Sequence, residues 1–289
     1  MKISHLFTYP IKSLKPIELT KSELTPLGLK WDRHWMLINE QNQSITQRTH
    51  PIMGLFKTEL CGHVLKVTAP DDECIEIPMS TTESGVTHNS FIANIWSDAC
   101  QVVEQDILFS QWFSEKLGGK EKLRFVSMAK NHQRPQSKGD VFGHDTTTLF
   151  ADAAPYLITT KASLDYLNDC LAEKNIDSSE MLQFRPNIVL ENSEQQQLAA
   201  FKEHNTSFFK HQDYILKSCN PCQRCVVPTI DLYTAKKHPD FEPYKTLERI
   251  NPMPNNPKAP AFGQNVILSW LNEGAVIKVS DFIEIIENQ

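Results

Sequence analysis

Three of the seven cysteines stand within seven residues, Cys219-Asn-Pro-Cys222-Gln-Arg-Cys225. Two consecutive C-x-x-C spacings allow thiolates to converge on one metal, but a structural zinc site wants four ligands. The fourth would have to come from a distant residue such as His211 or His238. An iron–sulfur run of the ferredoxin kind needs another cysteine followed by proline, and the chain continues Val226-Val227-Pro228-Thr229. A third reading is a single working thiolate. Arg224 precedes Cys225, and a nearby guanidinium favours the charged form of a thiol. Such a sulfur can ligate a metal or carry a persulfide. A fourth is three reduced cysteines on a strand edge. Spacing alone leaves all four open.

The elements that must position these residues read mainly as β. Ile3 to Tyr9, Ile17 to Leu24, Trp35 to Asn39, Val64 to Val67 and Ile75 to Ile77 are apolar or alternating runs. Gly28 and Pro70-Asp71-Asp72 supply turns. Helical spacing begins after Asp106, with Leu108, Trp112, Phe113 and Leu117 before Gly118-Gly119. A second helix is expected from Ala162 to Lys174, with Thr160 as its cap. Phe184 to Leu190 reads as a strand with a polar start. Tyr214 to Lys217 runs as β into the cysteines, and Val226 to Leu232 continues it. Asn251 to Pro260, with four prolines, reads as a stiff loop, and Val276 to Ile286 as a closing hairpin. The polar stretch 129–145 reads as a loop near the boundary of two halves, 1–125 and 126–289. Many short strands with few helices imply a mixed, mainly β fold, a barrel with flanking helices.

The 289 residues are 40% hydrophobic and 22% charged, ample for a large core. The net charge of −6 and short basic pairs such as Lys236-Lys237 argue against a nucleic-acid partner. No window approaches the roughly 18 apolar residues of a membrane span, and the first residues lack a signal-peptide core. Seven cysteines, an odd number, do not suit a secreted disulfide framework. The expectation is a cytoplasmic protein with no membrane partner.

Further segments follow one another along the chain: Tyr9-Pro10-Ile11-Lys12-Ser13, Asp32-Arg33-His34-Trp35, Ile45-Thr46-Gln47-Arg48, and Phe150-Ala151-Asp152-Ala153-Ala154-Pro155. After these come Phe184-Arg185-Pro186-Asn187, Pro221-Cys222-Gln223-Arg224-Cys225 and Phe262-Gly263-Gln264-Asn265. This ordered set, spanning Ile3 to Ile285, resembles the MOSC-domain proteins with an N-terminal MOSC β-barrel region. The likeness is to the amidoxime-reducing component and bacterial YcbX-type relatives.

The resemblance implies a molybdenum cofactor, a pyranopterin with one dithiolene on the metal, and Cys225 as the protein's sulfur ligand. On matched positions Lys12, Ser13, Arg33, Arg48, Arg185, Asn187 and Arg224 would hold the cofactor. Charged donors suit its phosphate, and an amide can match a pterin edge. Asp231, six residues after Cys225, is a candidate for proton handling or for capping a turn. The family at large is also associated with pyridoxal phosphate. The implied activity is reduction of N-hydroxylated small molecules such as amidoximes, hydroxylamines or N-hydroxylated bases. The alternative is a carrier that delivers cofactor or sulfur from Cys225. Relatives often carry hydroxyl residues where Ala153 and Ala154 stand here, and a glycine turn after Asp231. Some bacterial relatives add a C-terminal ferredoxin domain; this chain ends at Gln289, so a separate ferredoxin or flavoprotein reductase would supply electrons.

Overall fold

The first strand of the chain, Lys2–Thr8, belongs to a sheet built mostly from the last 140 residues. A computed structural model describes residues 1–79, 90–130, 132, 134, 139–143 and 146–288. Lys2–Thr8 pairs antiparallel with Ile188–Glu191 on one side and with Ile17–Leu19 on the other. Beyond Ile188–Glu191 the sheet continues through Tyr156–Thr160, the long strand Asn256–Leu271, Tyr214–Gln223, Thr206–Lys210 and Glu284–Glu287. Its core gathers Ile3, Leu6, Tyr156, Ile158, Phe209, Tyr214 and Val266.

The first half is completed by a four-stranded sheet, Trp35–Ile38, Arg124–Met128, Asp98–Glu104 and Phe91–Ile95, and by the three-stranded Lys57–Cys61, Val64–Thr68 and Cys74–Pro78. An aromatic core of Trp35, Phe56, Phe113 and Phe125 fills it. The expected helices form as Ile107–Lys116 and Lys161–Ala172. Asp106 accepts from the Leu108 amide, and Thr160 accepts from the Ser163 amide. The fold is mainly β with flanking helices.

Several expectations are corrected. The boundary placed after residue 125 would cut the strand Arg124–Met128, which pairs with Trp35–Ile38. Part of the stretch 129–145 lies outside the described residues; within it Gly139–Phe142 forms one helical turn. Phe184 ends a 3-10 turn, and the strand starts only at Ile188. Val226 to Leu232 is not β: Val227–Thr229 is a 3-10 turn, which Pro228 favours by lacking a ladder N–H. Asn256 opens a sixteen-residue strand despite Pro257 and Pro260. Pro260 is tolerated because it needs no N–H here: its carbonyl accepts from the Arg224 amide at 2.8 Å, and the two-residue Pro252–Met253 pairs on the other side. Val276–Lys278 and Glu284–Glu287 do not pair with each other; they close onto Lys21–Thr25 and Thr206–Lys210.

Two features fix the long strand against its neighbours. Gly263 has φ +77°, and a Cβ there would lie 2.7 Å from the Ile158 carbonyl oxygen. Only glycine lets the two strands approach this closely. His204 bridges the side chains of Gln264, at 3.2 Å, and Asn251, at 3.0 Å. Beside it the buried Glu203 carboxylate accepts from Ser163 Oγ at 2.8 and 2.9 Å, at the start of helix Lys161–Ala172.

Burial pushes the Glu203 carboxyl up to about 7; its own amide and the Ser163 and Thr160 hydroxyls oppose the rise only partly. The folded state therefore holds this proton more tightly than the unfolded chain. The stability linked to it is complete below the ordinary glutamate value and is lost as pH rises through about 7. Urea unfolding between pH 5 and 8 should show wild type losing on the order of 3 kcal/mol more than Glu203→Gln across that interval. Parallel pH curves for the two proteins would contradict the assignment.

Candidate functional site

Ser13, Arg33 and Arg185 all have left-handed backbones, with φ of 73°, 47° and 54°. A non-glycine residue pays about 1 kcal/mol or more for that conformation, and the cost is tolerated where surrounding structure fixes it. Here the fixing contacts come from both halves. The Arg33 amide donates to the Tyr9 carbonyl, and the Lys12 amide to the Trp35 carbonyl, both at 2.8 Å. The Arg185 amide closes its 3-10 turn onto Leu182. All three residues face one cleft of about 170 Å³, lined also by Lys12, Gln47, Arg48, Asp152, Asn187, Cys222, Arg224 and Cys225. A wider groove of about 820 Å³ past Met1, Gln196 and Phe282 holds none of the expected site residues.

The floor of the site is the buried ring of Tyr9. The guanidinium of Arg33 lies 4.2 Å and that of Arg185 4.3 Å from its centroid. The Tyr9 hydroxyl donates to the Pro186 carbonyl at 3.1 Å, and burial raises its pKa well beyond the ordinary range. Asp32 behind the floor accepts from Arg33 Nη1 and from the Tyr9 amide. Burial raises the Asp32 carboxyl while Arg33 pulls the other way. Arg185 is different. Among the described residues no carboxylate pairs with its guanidinium; burial pushes it down to about 10, and it stays charged at neutral pH.

A second cluster forms one wall. Lys12 is buried, and its ammonium donates to the Phe150 carbonyl at 2.8 Å and to Asp152 Oδ1 at 2.5 Å. Burial lowers the Lys12 pKa, against the pull of Asp152. The Trp96 indole donates to the same oxygen at 3.0 Å, and Arg48 Nη2 lies 3.8 Å from Oδ2. Burial pushes the Asp152 carboxyl up, but Lys12, Trp96 and Arg48 outweigh it and hold the group well below the usual carboxylate range. Its side chain is nonetheless 52% exposed and lines the cleft, and Oδ2 has no polar partner closer than Arg48 among the described residues.

The cysteines enter from a strand that breaks register. Ser218 pairs with Val266 and Asn220 with Asn265, leaving Cys219 as the extra residue of a bulge. Burial pushes the Cys219 thiol up to about 11, and it does not line the cleft. Cys222 and Cys225 both do. The Arg224 guanidinium donates not to Cys225 but to Cys222 Sγ at 3.0 Å and to the Phe184 carbonyl at 2.8 Å. Its buried Nε has no partner among the described residues. Cys225 Sγ instead accepts from the Val227 amide at 3.5 Å, where the 3-10 turn begins. Among the described residues no three His, Cys, Asp or Glu side chains converge as a metal cluster.

Of the expected site residues, Lys12, Ser13, Arg33, Arg48, Arg185, Asn187, Arg224 and Cys225 come together. Asn187 does so as a brace: its amide accepts from the Leu157 N–H and donates to the Phe7 carbonyl, both at 3.2 Å, so neither end is free. Asp231 stays outside. It is exposed and accepts from the Tyr233 amide at 3.0 Å and the Thr234 amide at 2.6 Å, capping a turn. Asp152, Trp96 and Gln47 carry weight that sequence reasoning did not assign. Asp152 could have been noticed as the one charge in an apolar segment. Trp96 had no such signal.

Five cations, Lys12, Arg33, Arg48, Arg185 and Arg224, face two carboxylates, Asp152 and Asp32, leaving a surplus of three positive charges in a chain of net charge −6. An anion with several oxygens is the natural complement.

The comparisons agree along the chain. Residues 1–120 match the model for the MOSC N-terminal beta barrel domain, and residues 145–284 match that for the MOSC domain. The protein is 27% identical to the mitochondrial amidoxime-reducing component 1 of Homo sapiens, over 96% of this chain and 81% of that protein. It is 28% identical to its counterpart in Danio rerio, over 91% and 78%. The molybdenum cofactor sulfurase of Danio rerio is 27% identical over 85% of this chain, which spans only 30% of that protein.

Inorganic pyrophosphate at saturation should raise the thermal midpoint by a few degrees, the equivalent of about 1–3 kcal/mol. Arg185→Met should remove most of that gain. An unchanged wild-type midpoint in differential scanning calorimetry would mean that the surplus charge is not open to ligands.

Proposed function

Since this chain belongs to the proteins that join a MOSC N-terminal β-barrel domain to a MOSC domain, we propose that it is a molybdenum-cofactor-dependent reductase of N-hydroxylated compounds. One observation carries the reading: the Cys225 thiol shares a cleft with the guanidinium groups of Arg185 and Arg224, which have no carboxylate partner among the described residues. A sulfur donor beside an anion pocket suits a metal held by a phosphate-bearing organic ligand. The names of the amidoxime-reducing relatives support the substrate class.

The residues present fit the group. Arg185 and the unpartnered Nε of Arg224 offer donors to its anionic part. Ser13 Oγ, which accepts from the Gln47 amide at 3.3 Å, keeps its own proton to donate. Lys12 and Arg48 add charge from the wall, and Cys225 would supply the protein's sulfur ligand. When bound, the cofactor supplies two-electron redox chemistry, so that an N–OH group takes up two electrons and two protons and leaves as N–H and water. Asp152, held ionised, can accept a hydrogen bond from a substrate N–H through Oδ2 and so orient it. The electrons would come from a separate ferredoxin or flavoprotein reductase. Pyridoxal phosphate, by contrast, needs a free lysine amine. Lys12, the one lysine on the described cleft wall, is held by Asp152 and Phe150.

A second reading, a carrier of cofactor or sulfur on Cys225, is favoured by the sulfurase relative. Turnover separates them, because a carrier does not reduce benzamidoxime with an artificial electron donor. Protein from a molybdate-supplied host should carry molybdenum near one per chain and a fluorescent oxidised pterin. Cys225→Ala should lose reductase activity at least a hundredfold, whereas Cys219→Ser, outside the cleft, should retain it within about twofold. Zinc alone, or full activity in Cys225→Ala, would overturn the assignment.

A further inference from the structure

The strands Phe91–Ile95 and Asp98–Glu104 form a hairpin whose Asp98 pairs directly with Ile95, so Trp96-Ser97 is a two-residue turn. Such turns want Asn or Gly at the first position, where φ is positive. Trp96 occupies it with φ +57°. A bulky aromatic there is a genuine outlier. It is also 47% exposed, where an indole would normally be covered. Neither the turn nor the core accounts for this residue.

Trp96 is not itself in the lining of the cleft of about 170 Å³, but among the described residues it contacts two residues that are. The Arg48 guanidinium lies 3.9 Å from the ring centroid, and the indole N–H donates to Asp152 Oδ1. Arg48 and Asp152 are cleft residues. The hydrogen bond orients the ring, Arg48 buttresses it, and a large part of its surface remains open. Asp152 Oδ2 stands beside it as an acceptor. A flat group carrying N–H donors could stack on the ring while donating to that oxygen, gaining the energy of an offset aromatic pair.

We propose that Trp96 is the specificity-determining platform of the site, selecting substrates whose N-hydroxylated group is attached to a flat aromatic or heteroaromatic ring over small aliphatic ones. The proposal rests on the reductase reading for its substrate class. Offset stacking of this kind is worth about tenfold in affinity.

The test uses the full chain as isolated and two probes, benzamidoxime and acetamidoxime. Equilibrium dialysis without reductant measures binding, and steady-state assays with an artificial donor give kcat/KM. Trp96→Asn should weaken benzamidoxime binding about tenfold and lower the benzamidoxime to acetamidoxime ratio of kcat/KM by the same factor. Trp96→Phe should keep most of both. Because asparagine suits the turn better than tryptophan, the thermal midpoint of Trp96→Asn should stay within about 2 °C of wild type. Trp96→Leu gives the same comparison if the asparagine variant unfolds. Equal losses for both probes, or wild-type benzamidoxime binding in the ring-free variants, would overturn the platform. If wild type reduces neither probe yet the dialysis pattern holds, the reductase reading fails and the platform stands. If both are reduced and the ratio does not move, the platform fails alone.

Discussion

Two guanidinium groups on one buried tyrosine ring set the terms for the rest of the molecule. Arg33 and Arg185 repel each other, and Asp32 compensates only one of them. The cation–π contacts with Tyr9 offset only part of the cost of bringing them together, because burial and like charge both disfavour it. The arrangement makes sense when a polyanionic ligand completes it. The two residues come from different halves of the chain, 152 positions apart. They meet because Lys2–Thr8 crosses into the sheet of the second half and lies beside Ile188–Glu191. The crossing strand delivers Tyr9, Lys12 and Ser13 to the same spot.

The rigid parts of this design were legible in the sequence. Capped helices, the Pro70 turn and the alternating strands follow from local rules. The ordered segments around Lys12, Arg33, Arg185 and Cys225 marked residues that do converge. What was not legible depends on long-range pairing. Val276–Lys278 and Glu284–Glu287 look like a hairpin because they are neighbours in sequence, but each finds a distant partner with matching apolar faces. Phe184 to Asn187 looks like strand because of its flanking apolar residues. The left-handed Arg185 breaks it, and that conformation has no signature in composition.

Side-chain partners were legible least of all. Adjacency suggested that Arg224 attends Cys225, yet both follow the end of the strand Tyr214–Gln223, where being next in sequence does not make two side chains partners. The Arg224 guanidinium instead reaches back to Cys222, two residues away. The same logic explains Asn187, whose amide is spent on the Phe7 and Leu157 backbone. Residue type at a matched position identified the cleft without saying which groups face a ligand and which hold the wall.

The two clusters differ in how far their charges are balanced. Around Tyr9 the cations Arg33, Arg185 and Arg224 exceed the one carboxylate, Asp32, by two charges, which suits an anion. Around Asp152 the surplus is smaller, one charge, with Lys12 buried behind the carboxylate and Arg48 at its edge. A half-exposed carboxylate does not bind anions tightly, but it offers oriented lone pairs to a neutral donor that comes and goes. One cleft can therefore hold one ligand firmly and exchange another. The boundary between the two regimes is drawn by Asp152, a single acid in an otherwise apolar turn.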